Sequence, residues 1–143
     1  MGLIPVKNPP EFTEEVEQWT RETDADGAEM AKEVIEPLLN NDVYLKREIE
    51  RSEHVTLVTL TAVGWTGTVA PYSQTVTVSD AKESMEPILV SALADGASEA
   101  IQKAYSKAFG LVSCGTASVG DGTATFKTYK KPATDITVGL KGV

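Results

Sequence analysis

The sequence predicts an α+β chain in two parts: an N-terminal helical arm with a coiled-coil-like pattern over residues 1–53, then a compact antiparallel β domain with one packed helix over residues 54–143. Three observations predict it. The charge is uneven: residues 1–53 hold 14 acidic and 6 basic side chains, which is −8, whereas residues 54–143 hold 7 of each. The apolar residues recur at helical spacing before His54 and mostly at a period of two after it. Finally, one helix-like stretch interrupts six strand-like runs, giving the order β-β-β-α-β-β-β. A length of 143 residues suits one domain with a small appendage.

Pro5, Pro9 and Pro10 make residues 1–12 an extended arm, because each ring fixes its backbone and removes an amide donor. Thr13 is a suitable cap for a short helix to Trp19, with Glu14, Glu15 and Glu17 near its positive end. Asp26 and Glu29 form a capping-box pattern before a long helix from about Ala28 to Arg51, which Pro37 should kink or divide. Along it, Ala31, Ile35, Leu38, Asp42, Leu45 and Ile49 are spaced 4-3-4-3-4, a heptad seam, with Val34, Leu39 and Tyr44 widening the stripe. The polar break Asn40-Asn41-Asp42 falls near its middle, where a buried Asn or Asp would set register and oligomer number. Ile35, Leu38, Asp42, Leu45 and Ile49 are therefore the candidate oligomer interface. Such a helix either packs on its own domain or self-associates, since an isolated helix of this length is marginal in water.

After His54 the β-branched residues take over. Residues 55–60 read as a strand whose alternation slips between Leu57 and Val58, consistent with a bulge or burial on both faces. Gly64-Trp65-Thr66-Gly67 is a turn, Tyr72–Ser79 a half-buried strand, and Ile88, Val90 and Ala92 the inward residues of a third. Ser98 caps a helix that Gly110 should stop, with Ile101, Ala104, Tyr105, Ala108 and Phe109 on one apolar face and Gln102, Lys103, Ser106 and Lys107 on the wet one. Leu111–Ser118 and Thr123–Tyr129 form a hairpin about Gly120-Asp121-Gly122, and Ile136, Val138 and Leu140 form the final strand. One sheet with the helix on one face is the expected arrangement. A curled β-sandwich plugged by the helix is the alternative.

Little here supports catalysis. The lone histidine, His54, has no partner at metal-ligand spacing, and the lone cysteine, Cys114, reads as a small core residue. Glu83 and Glu86 are one carboxylate pair in a loop, and the glycines from Gly110 to Gly122 are not followed by the Lys-Ser/Thr of a phosphate loop. Asp24 and Asp26 before Gly27 lack the distant bidentate Glu of a calcium loop. No cofactor is expected. A net charge of −8 disfavours nucleic acid and anionic membrane as partners, and no apolar run is long enough to span a bilayer. Trp65 and Tyr72, flanking a Gly/Thr/Pro-rich connection, are the candidate ligand or receptor surface, for a glycan that stacks on the rings or for a protein interface. The alternative is that Trp65 plugs the end of the sheet and Tyr72 pairs across it.

Several stretches resemble fibre-type structural proteins (head-fibre or tail-fibre-like) of phages and prophages of Firmicutes. They are Gly64-Trp65-Thr66-Gly67, then Ala70-Pro71-Tyr72-Ser73-Gln74-Thr75-Val76-Thr77-Val78, the segment from Gly120-Asp121-Gly122-Thr123 to Lys130-Lys131-Pro132, the closing Thr134–Lys141 and the helix Leu38–Lys46. The likeness covers roughly residues 36–143, and the chain is shorter than many such proteins. It implies a non-enzymatic virion component, a homotrimeric fibre or decoration protein assembled in the bacterial host cytoplasm. The N-terminal part would attach it to capsid, tail or baseplate proteins and the C-terminal part would be displayed as a knob. A carbohydrate-binding adhesin or receptor-binding module is the other reading.

Overall fold

The computed structural model describes residues 5–14 and 30–143. The body of the helix expected to end at Trp19, the Asp24/Asp26 pair and the Asp26–Glu29 capping box lie outside the described residues. The chain divides into two compact units, Met1–Arg51 and Ser52–Val143.

In the first unit a five-residue π-helical turn, Ala31–Ile35, leads into helix α1, Glu36–Glu53. Near Pro37 the helical run changes type without interruption, the π-helical turn ending at Ile35 and α1 starting at Glu36. Pro37 stands in the first turn of α1, directly after the wider turn, where the missing amide hydrogen of proline is tolerated. The extended arm is tied to α1 by two asparagines. Asn40, buried, accepts from the Lys7 amide at 2.9 Å. Asn41 accepts from the Thr13 amide at 2.7 Å and donates to the Thr13 carbonyl at 2.9 Å. The Phe12 and Tyr44 rings meet with centroids 5.7 Å apart. Asn40, Asn41 and Tyr44 thus belong to the arm-facing side of α1 and not to the seam, because the arm's extended backbone, rich in proline, needs donors and acceptors from outside itself.

The second unit is α+β, with two antiparallel three-stranded sheets instead of the expected single one. Sheet one has the order β1-β6-β3, where β1 is Val55–Leu60, β3 Ile88–Ser91 and β6 Ile136–Lys141. Sheet two has the order β2-β5-β4, where β2 is Tyr72–Thr77, β4 Thr116–Gly120 and β5 Thr123–Thr128. Only β4 and β5 pair with their sequence neighbour, through the tight Asp121-Gly122 turn with Gly122 at φ +71°. The chain order is as expected, and both sheets and the helix contribute to one core. Val58, Leu60, Val138 and Leu140 enter it from sheet one, Ala124 and Phe126 from sheet two, and Ala108 and Val112 from helix α2, Glu99–Ser113. Fully burying large residues such as Leu60 and Phe126 contributes about 1.5–3 kcal/mol each.

Four local expectations change. β1 has no bulge: it pairs without interruption from Val55 opposite Lys141 to Leu60 opposite Ile136, and Leu57 simply points outward, 63% exposed. In β3 the inward residue is Leu89, not Ile88 or Val90. Residues directly opposite share a face, and the register sets Leu89 against the buried Leu140. Helix α2 starts on the Ser98 cap, whose hydroxyl accepts from the Ile101 amide, but it runs through Gly110. Three further residues seat the buried Val112 in the core and the helix ends at Ser113; just past its cap stands Gly115, where an added Cβ would collide with the Lys127 carbonyl oxygen. Cys114 is consequently an exposed helix cap and not a core residue in a strand, and Ile101, 56% exposed, lies outside the buried face.

Candidate functional site

The α1 stripe is the first candidate surface. On a regular helix, Leu38, Asp42, Leu45 and Ile49 fall on one face, and Ile35 closes the π-helical turn just before it. Leu38, Leu45 and Ile49 are 50%, 48% and 58% exposed, Ile35 is 38% exposed, and Asp42 is exposed as well. The side of α1 bearing Asn40, Asn41 and Tyr44 is meanwhile taken by the chain's own arm. Near the arm, Lys7 donates to Glu11 at 2.9 Å, and that hydrogen bond holds the Glu11 carboxyl below its usual range.

The aromatic pair does not form a ligand platform. Trp65 is 4% exposed and belongs to the core, so it cannot stack on a sugar ring. Tyr72 is half-buried against the same core, and Lys131 Nζ sits 4.7 Å from its ring centroid. Lys131 also donates to the Trp65 carbonyl oxygen at 3.2 Å, so one ammonium group closes over both residues. The Gly/Thr/Pro-rich connection folds back on itself, with Thr66 and Ser73 bridged through their backbones.

Two grooves of the second unit bear on function. One, about 430 Å³, opens between β3 and β4, where Leu89 and Leu140 face Val119 and Phe126, with Glu83 and Glu86 at its rim. The other, about 510 Å³, lies between α2 and the segment after β5. Its floor is made of small and apolar residues, chiefly Ala104, Ala108, Leu111 and Ala133. Its rim carries Lys103, Lys107, Lys130 and Lys131. Helical spacing sets the first two one turn apart on α2, and the buried Pro132 anchors the chain just beyond the second two. The sequence pattern sets Lys103 and Lys107 on a wet helix face, while Lys130 and Lys131 enter only within a stretch that carries the family likeness. Nothing in the spacing says that the two pairs meet.

The remaining chemistry-bearing residues stay scattered. His54 Nδ1 lies 2.8 Å from the Val143 carbonyl oxygen and 3.3 Å from the Thr56 hydroxyl, a local polar contact at the strand edge. Among the described residues no group of three His, Cys, Asp or Glu side chains is arranged to hold a metal ion, and no helix is long and apolar enough to cross a membrane. No protein-family model, no curated protein and no solved structure matches the chain.

Proposed function

We propose that the protein is a non-enzymatic structural component of a phage particle, a homotrimeric fibre or decoration protein. In this reading α1 and the arm form the assembling part, attached to other virion proteins, and the β-rich unit is displayed. The observation that carries it is the exposed stripe Leu38–Leu45–Ile49 on α1, continued by Ile35. Apolar residues at heptad spacing are normally covered, and a helix alone gains too little to leave them in water. The charge division supports it, since all of the net −8 lies in residues 1–53 and none in the β-rich part. So does the resemblance of residues 36–143 to fibre-type proteins. The glycan-binding reading loses its aromatic platform, because Trp65 is buried.

Light scattering of the purified protein at two concentrations tests the reading. A stable mass near three times 15.3 kDa is the expected result. Leu38→Asp or Leu45→Asp should then lower the mass to that of one chain while the far-ultraviolet spectrum of the β-rich unit persists. A wild-type monomer at both concentrations would sink the trimer, and an unchanged mass in both variants would sink the seam.

A further inference from the structure

We infer that the groove between α2 and the segment 130–134 is a docking site for an acidic, amphipathic peptide segment of a partner protein. This inference stands independently of the oligomeric state proposed above. It begins with charge. The β-rich part has seven basic side chains, all lysines, and four of them rim this one groove. The chain as a whole is strongly acidic, so the clustering runs against its average. Lys107 and Lys130 form no ion pair with any described residue, and Lys103 pairs only with the exposed Glu99 of its own helix. Among the described residues no acidic side chain lines the groove. Lys131 is held by the Trp65 carbonyl and the Tyr72 ring, so Lys107 and Lys130 are the cations left open at the rim, and an anionic occupant neutralises them.

The floor selects among anions. Ala104, Ala108, Leu111 and Ala133 offer an apolar trough that a bare polyphosphate or a nucleic acid has nothing to fill. A peptide with apolar residues on one side and carboxylates on the other satisfies both parts: its side chains lie on the alanines while its carboxylates reach the rim. The volume of about 510 Å³ accommodates a few side chains and not a folded domain. Small floor residues also allow close approach of a peptide backbone, as in helix-in-groove recognition. The lysines give the contact its steering and its salt dependence.

Fluorescence anisotropy on the full-length protein tests this, with three labelled probes. One is a 15-residue peptide with leucines at i, i+3, i+4 and i+7 and glutamates elsewhere, one is the same peptide with lysine for glutamate, and one is dextran sulfate. The acidic peptide should bind at least about tenfold tighter than its basic counterpart. The double variant Lys107→Glu, Lys130→Glu should weaken it by about tenfold or more, and Lys82→Glu, outside the groove, should not. Both lysines are exposed, so the double variant should keep the wild-type circular dichroism. Absence of binding, equal binding by the double variant, or dextran sulfate binding that the acidic peptide cannot displace would each overturn the proposal.

Discussion

Asn41 holds both backbone groups of Thr13: its Nδ2 donates to the carbonyl oxygen at 2.9 Å, and its Oδ1 accepts from the amide nitrogen at 2.7 Å. A side-chain amide thereby stands in for a strand neighbour and fixes an extended segment that makes no sheet of its own. Asn41→Ala should cost about 1–3 kcal/mol of arm docking, two hydrogen bonds at about 1 kcal/mol each plus the penalty for any group left unpaired. Hydrogen exchange at Lys7 and Thr13 is the readout. Both amides should exchange faster in the variant, while exchange in β5 and β6 stays as in the wild type.

Trp65 shows how burial changes the meaning of a residue. Trp65→Ala should destabilise the β-rich unit by about 3–5 kcal/mol, the cost of emptying a large core site. Urea unfolding measures it. A variant that unfolds at the wild-type midpoint would place the indole on the surface after all.

Gly110, inside the last turn of α2, and Gly115, just past its cap, should respond with opposite signs. Gly110 lies inside the helix with nothing within 4 Å of an added Cβ, so Gly110→Ala should stabilise by about 0.5–1 kcal/mol. Gly115→Ala would drive the Cβ into the Lys127 carbonyl oxygen and should destabilise. Thermal unfolding of the two variants side by side decides it.

Thr128 is 1% exposed, and its hydroxyl has no hydrogen-bond partner among the described residues. Thr128→Val keeps the shape and removes the unpaired group, so it should raise stability by about 1 kcal/mol or more. A loss of stability in urea unfolding would show that the hydroxyl is engaged.

The strands and the second helix were legible because their patterns are local. Val76, Val138 and Leu140 alternate with polar neighbours, the Asp121-Gly122 pair demands a tight turn, and Ser98 caps the helix that follows it. Where the local cue was weak or competed with packing, reading failed. Gly110 looked like a stop, but burying Val112 outweighs one unfavourable glycine in a helix. Ile88 looked inward, yet the pairing of Leu89 with Leu140 sets the opposite phase. For the candidate sites the division is similar. The α1 stripe follows from spacing alone. The burial of Trp65 does not, and neither does the Lys131 hydrogen bond to its carbonyl, which joins residues 66 positions apart.

By itself the sequence determined the two-part layout, the charge division, the element order β-β-β-α-β-β-β and the heptad spacing of Leu38, Leu45 and Ile49. Each is written in neighbours a few residues apart, through helix or strand period and backbone restriction. Only the tertiary structure decided that the strands split into two sheets, that Asn40 and Asn41 serve the arm and not the seam, and that four lysines from two distant segments share one groove. Those outcomes depend on which distant backbones pair and which faces bury each other, and that is fixed by competition among long-range contacts that no short window of sequence contains.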